Sequence, residues 1–440
     1  NENIGSGNPE QNEVSNSFQE STLMSGIFRL NYTLKNRYLL TFTSRADGSS
    51  KFGSNNKWAF FPSGAISWKA HEEAFISQLG VFDQLKFRGS YGISGNQGLS
   101  PYETLSRFGL SEYYNNGQWI TAIGPGREVG RTGQDGIEVL WGGIPNPDLR
   151  WETTAQYNLG AAMGFVGNRV KVIFDYYVKN THDLIQSRIL PLSSGYDRML
   201  VNQGSITNKG FEVTIDAGVV QKEDFNINTT LIYSRNRNEV TDLGTVEQSG
   251  LSIDPNTGML YQFYGNSIEM YRDNPNLLAV GLPVNVFYGY KTDGIVQTLE
   301  EGLDAGLDGD DADPGEYKYV DINDDGVIDN NDKTVIGDPN PDFTASLNLS
   351  ASYKNFDFSI FLNGVFGNDV INTQAFNQPN NRPFRWTPDN PTNEFPSLRD
   401  GRFNRFSDWW IEDGSFVRIQ NLNLGYTIGM PGNISARIFM

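Results

Sequence analysis

From Asp342 to Tyr353 the chain alternates without a break, with Phe343, Ala345, Leu347, Leu349, Ala351 and Tyr353 on one face and Asp342, Thr344, Ser346, Asn348, Ser350 and Ser352 on the other. A period of two over that length specifies a β-strand with one apolar and one polar face. After a short turn at Lys354–Asn355 the pattern resumes through Phe356, Phe358, Ile360 and Leu362. It recurs in Phe211, Val213, Ile215, Ala217 and Val219, then in Phe225, Ile227, Thr229, Leu231 and Tyr233 after a turn at Gln221–Asp224. These strands are roughly twice the usual globular length of about five or six residues. Strands of about ten tilted residues are what a bilayer requires.

The connections alternate in length. Short turns are expected near Lys35–Asn36, Val166–Asn168, Gln221–Asp224, Lys354–Asn355 and Met430–Asn433, and long polar stretches at Gly95–Asp148, Val240–Pro283, Thr298–Asp338 and Gly367–Gly414. Bacterial outer-membrane barrels have short periplasmic turns and long extracellular loops. One connection, His71–Asp83, is of medium length and suits a short helix around Glu72–Leu79. The pattern therefore predicts an all-β chain, an antiparallel transmembrane β-barrel with long extracellular loops. A soluble sandwich or propeller is the alternative, because it too has many strands and turns. The two differ in where Leu347, Leu349, Ile360 and Leu362 point: to an outer band, or into a dry core.

Composition narrows the function classes. The chain has 440 residues, no cysteine, two histidines (His71 and His182) and a formal net charge of −18. Nucleic acid is excluded as a partner, because phosphate binding needs a basic face. Disulfide frameworks and thiolate metal sites are excluded too. No apolar run is long enough for a transmembrane helix. A mean hydropathy of −0.45 is still compatible with a barrel, in which only alternate residues face lipid. No catalytic cluster is expected, since neither histidine sits in a recognisable motif. Residues 1–20 are polar and Ile434–Met440 reads as a strand cut short. A closed barrel leaves no edge in lipid, so the whole of 1–440 is expected to be part of a barrel that continues beyond Met440.

An ordered series of motifs extends this reading. They are Arg37-Tyr38-Leu39-Leu40-Thr41, Arg45-Ala46-Asp47-Gly48 through Gly53, and Phe61-Pro62-Ser63 through Trp68; then Leu85 through Gly92, and Asn146-Pro147-Asp148-Leu149-Arg150-Trp151; then Asn208-Lys209-Gly210-Phe211-Glu212, Phe287-Tyr288-Gly289-Tyr290 and Asp413-Gly414-Ser415-Phe416. In that order they resemble the SusC/RagA-type TonB-linked outer-membrane proteins of Bacteroidetes. The resemblance implies part of a large plugged barrel of about 22 strands, with the plug and first strands before residue 1. It also implies import of oligosaccharides or oligopeptides, energised by TonB, under a SusD-like surface lipoprotein. A surface carbohydrate-binding β-protein without transport is the competing function.

Two constellations are candidate sites. Within the acidic stretch 298–338, Asp321-Ile322-Asn323-Asp324-Asp325-Gly326-Val327-Ile328-Asp329 through Asp332 matches the spacing of a calcium loop. Asp321, Asn323 and Asp325 offer side-chain oxygens, Val327 its carbonyl, Asp329 a direct or water-mediated contact, and Asp332 the closing carboxylate in place of the usual Glu. Ca2+ is thus the expected cofactor. The second set is the loop aromatics, chiefly Trp386, Trp409, Trp410, Tyr113 and Tyr114, with Trp119, Trp141, Tyr261, Tyr264 and Tyr271. Such rings suit stacking on sugar faces, and equally suit packing within loops. Trp68 and Trp151, at strand positions, are expected in an aromatic girdle.

Overall fold

The computed structural model describes residues 18–440 except 106–107, 126, 133–135, 142–143, 192–193, 195–197, 245–250, 254–257, 265–273, 374–382, 399–404 and 431–433. Twelve antiparallel strands form one sheet, neighbours in space as in sequence. They are β1 (Leu23–Leu34), β2 (Tyr38–Ser49), β3 (Trp58–Lys69), β4 (Gln84–Asn96), β5 (Glu152–Phe165) and β6 (Val170–His182), then β7 (Ser205–Gln221), β8 (Phe225–Asp242), β9 (Phe343–Tyr353), β10 (Phe356–Phe366), β11 (Phe416–Met430) and β12 (Ile434–Phe439). The sheet is an open wall, a partial barrel.

Register turns the local alternation into two chemically distinct faces. One apolar row runs Leu40–Ile66–Gly89–Leu159–Tyr176–Phe211 across β2 to β7. Another runs Leu231–Leu347–Leu362–Ile419 across β8 to β11. Five buried apolar clusters exist among the described residues, and none includes Leu347, Leu349, Ile360 or Leu362. Among the described residues nothing covers this face, and Leu40, Ile66, Leu159, Tyr176, Leu231 and Ile419 stay exposed, so the sandwich alternative fails and the apolar rows form a lipid-facing band. The opposite face is polar: Asn31–Thr41–Ala65–Ser90–Asn158–Tyr177–Gly210–Asn236 lie in register across β1 to β8.

Glycines on that inner face let side chains two strands apart meet. Arg88 of β4 and Asp175 of β6 pair directly across Gly160 of β5, with Arg88 Nε donating to Asp175 Oδ1 at 3.0 Å. Arg437 of β12 pairs with Asp357 of β10 across Gly425 of β11, again at 3.0 Å from Nε to Oδ1. The Tyr177 hydroxyl reaches Asn236 Oδ1 at 3.0 Å across Gly210. A side chain at Gly160 or Gly425 would collide with both members of its ion pair.

Because the strands run antiparallel in chain order, connections alternate between two ends. The turns at 35–37, 166–169, 222–224 and 354–355 share one end with the 70–83 connection, while the turn expected at Met430–Asn433 falls largely outside the described residues. Lys35, Asn36, Val166, Asn168 and Lys354 take positive φ, which tight hairpins demand. The 70–83 connection carries a 3₁₀ turn at Ala70–Glu72 and one helical turn at Ala74–Ser77, as its length implied. Its Glu73 accepts from Arg37 Nη1 and the Tyr38 hydroxyl, both at 2.7 Å, and from Trp68 Nε1 at 3.4 Å. The Tyr38 hydrogen bond above all, then Trp68 and Arg37, hold the Glu73 carboxyl below its usual range. Trp68 stacks on Phe87 at this strand end, a girdle position. Trp151 does not share that role. It is buried with Phe52 and Phe61 at the long-loop end, 4.6 Å from the Phe52 ring, because the 50–57 connection folds back over it.

Candidate functional site: the co-folded loops

The long loops fold. The stretches expected separately at 240–283 and 298–338 belong to one connection between β8 and β9, which builds its own sheet. Its strands Ser252–Ile253, Leu260–Tyr264, Asn276–Ala279, Val286–Gly289 and Thr334–Gly337 lie side by side. The connection between β10 and β11 then docks on it. Tyr290 N donates to the Phe406 carbonyl at 2.9 Å, and Asp408 N to the Tyr290 carbonyl at 3.0 Å. Asp408 Oδ1 accepts from both Thr292 N and Thr292 Oγ1, at 2.9 and 2.6 Å. Two apolar clusters fill the seam: Tyr290, Val296, Leu307, Ala312, Tyr317, Tyr319 and Ile328 in one, and Phe287, Phe406 and Trp410 in the other, with Trp409 touching both.

The structure places the three named tryptophans within this packing. Trp410 is 0% exposed and Trp386 9%. Trp386 Nε1 is used on Gln297 Oε1 at 2.8 Å. Trp409 is half-buried, its Nε1 bonded to the Glu394 carbonyl at 2.9 Å and its ring between Tyr317, Phe395 and Trp410. Burying a large indole outweighs exposing it for a transient ligand, so the loop core has taken these rings. Tyr113 and Tyr114 lie on the strand Phe108–Asn115, but their side chains fall outside the described residues, as do those of Trp119, Trp141 and Tyr264 and the whole of Tyr271. Tyr261 packs against the small cluster of Leu277, Ala279 and Val286.

The calcium-like loop is part of the same body. Asp324 and Gly326 take φ of +57° and +81°, making the sharp turn the spacing predicted. Asp321 Oδ2 accepts from Gly326 N at 2.7 Å, Asp325 Oδ1 from Val327 N at 2.9 Å, and Asn323 Oδ1 from Asp325 N at 3.1 Å. Fully buried Asp332 accepts from Ile322 N and Asp329 N at 2.9 and 2.7 Å, clasping the loop's two ends. The Gly326 amide, then those of Asp325 and Asp324, hold the Asp321 carboxyl below the ordinary range. An oxygen-only donor set suits Ca2+ chemically. Its side chains are nonetheless turned onto the loop's own amides. Among the described residues no three acidic or histidine side chains converge to hold a metal ion.

Sequence reasoning missed Arg405. It donates to the Ile328 carbonyl at 3.1 Å and to Asp311 Oδ2 at 2.8 Å, with its guanidinium over Tyr290 and Tyr319. Burial opposes its charge, yet Asp311 and the two phenols outweigh that and raise its pKa. It ties the second loop to the back of the calcium-like loop. Nothing local in Asn404-Arg405-Phe406 marks that role, since every partner comes from the other connection.

A family model, TonB dependent receptor-like β-barrel, matches residues 1–438. The chain belongs to that family. TonB-dependent receptor P3 of Formosa agariphila is 35% identical over 444 residues, covering 97% of this chain and 41% of the relative. TonB-dependent receptor SusC of Bacteroides thetaiotaomicron is 30% identical over 418 residues, covering 92% and 38%. In fold, the chain is similar to the solved structure of the RagAB peptide transporter, with a TM-score of 0.72 at 24% identity over 98% of this chain and 45% of that one. The chain spans less than half the length of the curated relatives it matches. As a TonB-dependent receptor barrel it resides in the outer membrane, and the family is one of receptors and transporters rather than enzymes.

Proposed function

We propose that this chain is the wall and outer loops of a TonB-energised importer that takes up oligosaccharides with a SusD-like surface lipoprotein. The observation that carries the importer is the in-register pair of faces, apolar toward lipid and polar toward an interior, on a chain 30% identical to SusC. The glycan preference rests on the inner wall, where hydroxyls and carboxamides dominate and the charges of Arg88, Asp175, Asp357 and Arg437 are neutralised in pairs. Oligopeptides are the second reading, because the barrel shares its fold with a peptide transporter. The test is uptake by cells carrying the full-length receptor, on matched panels of oligosaccharides and oligopeptides, with the neighbouring lipoprotein and TonB each removed in turn. Oligosaccharide uptake that requires both is expected. Uptake that persists without TonB energy removes the importer, and uptake of peptides alone replaces the glycan.

The loop 321–332 is proposed to bind Ca2+ once Asp321, Asn323 and Asp325 rotate from the amides they now accept. The support is the ligand spacing and the preformed turn at Gly326. Bound there, the ion would neutralise clustered carboxylates and stiffen the loop body.

A further inference from the structure

A groove on the inner wall runs over a glycine. Gly92 of β4 lies in register between Ser63 of β3 and Gln156 of β5. Its missing side chain opens a groove of about 330 Å³, bordered by Arg29, Thr43, Ser63, Ser90, Gln156 and Asn158. A Cβ at Gly92 would lie 2.9 Å from the Ser63 Cβ, so any other residue there closes the floor.

The lining has a definite chemistry. It contains no carboxylate, although the chain carries 52 acidic residues. Arg29 is its one cation, and Arg29 Nε already donates to Thr43 Oγ1 at 3.1 Å. Gln156 Nε2 donates to Asn158 Oδ1 at 2.9 Å, which orients the pair and leaves the Gln156 carbonyl oxygen and the second Asn158 amide proton directed elsewhere. Ser63 and Ser90 have no side-chain partner among the described residues. Donors and acceptors mixed at this density, beside one guanidinium, match a ligand that presents both on every edge. A ring of vicinal hydroxyls does so. An ammonium would find no counter-charge there, whereas any anionic substituent on the ligand has Arg29 to meet.

We propose that this groove is a subsite for a hydroxyl-rich, non-cationic sugar unit on the path through the barrel. The inference rests on the glycan reading above and places one unit of that substrate. The ligand's exchangeable hydroxyls replace water on Ser63, Ser90, Gln156 and Asn158, so selectivity comes from the polar groups left unpaired by a wrong ligand.

The experiment uses the full-length receptor with its lipoprotein partner. Ser90→Trp fills the groove from a strand position that tolerates an aromatic. At wild-type surface abundance it should lower uptake of a neutral oligosaccharide at least tenfold. Unchanged uptake overturns the subsite. If Ser90→Trp fails to assemble, Gln156→Ala with Ser90→Ala serves instead: a KM raised severalfold is expected, and an unchanged KM overturns the proposal. Ser90→Cys then asks what occupies the groove, since the chain has no cysteine of its own. Protection from an uncharged maleimide by saturating neutral oligosaccharide, absent with a cationic amino-sugar oligomer, is expected. A thiol that stays unreactive with and without sugar shows the groove covered by the rest of the receptor, which refutes the proposal. A wild-type receptor that imports no oligosaccharide defeats the glycan reading itself, a result separate from any variant's behaviour.

Discussion

Replacing Trp410 by Ala should melt the joined loops and leave the wall standing. The indole is fully buried between Phe287, Phe406 and Trp409, meeting Trp409 edge-on at a ring-centroid distance of 4.8 Å. Truncating a buried Trp costs ~3–5 kcal/mol, of which the aromatic edge contact is about 0.5–1.5 kcal/mol. Taking about 4 kcal/mol, at 1.4 kcal/mol per decade, the open form of the loop body gains roughly a thousandfold in population. The readout is hydrogen exchange of the amides that join the two connections, Tyr290 N, Asp408 N and Thr292 N, in the full-length receptor. Their protection should fall by about that factor, while amides of β2 to β11 keep theirs, because ladder hydrogen bonds of the wall do not touch Trp410. Seam protection within tenfold of wild type would refute the reasoning. So would intact protection with lost ligand binding, which would return Trp410 to a stacking role.

Gly160→Val should drive Arg88 and Asp175 apart and lower the temperature at which the folded barrel opens on a heat-modifiability gel, a cost of ~1–3 kcal/mol from overpacking; in an Arg88→Ala/Asp175→Ala background the same change should cost less, and equal costs would show that the glycine does not serve the ion pair. Calcium should slow amide exchange at 321–328, and terbium bound in its place should luminesce by energy transfer from nearby aromatic rings and be displaced by calcium, with Asp325→Ala weakening both ions' binding at least tenfold; no response in millimolar calcium defeats the ion proposal. The Asp321 carboxyl is held down by the Gly326 amide. A depressed carboxylate stabilises the fold above the ordinary carboxylate range and loses that contribution as pH falls through it. Protection of the Asp325 and Gly326 amides, corrected for intrinsic rates, should therefore stay flat from about pH 7 to 5 and fall below about pH 4. A loss centred near pH 6 would assign the control to another group.

The wall was legible because one local rule, repeated twelve times, leaves little freedom. Once Leu347 and Leu349 face one way, pairing with Leu362 and Ile360 follows, since a slip of one residue would turn every leucine into the interior. The loops had no such rule. Phe287 and Phe406 are far apart in sequence and meet only after both connections fold, so nothing near Trp410 distinguishes a ring that will stack on a sugar from one that will close a core. The calcium-like loop is an intermediate case. Its spacing predicted the turn at Gly326 correctly, because backbone geometry follows residue type, but the directions of the Asp321 and Asp325 carboxylates were settled by nearby amides that spacing does not reveal. Glycine shows the same limit most sharply. Gly160 and Gly92 look alike in sequence, each an unremarkable small residue in an alternating strand. Register makes one a window through which an ion pair closes and the other a gap in the wall. Their roles are defined by what stands on the two neighbouring strands, so function on this inner face is encoded in triplets of residues from three strands. For the same reason, substitutions at Gly160 and Gly92 should separate cleanly, the first altering barrel stability and the second altering what passes.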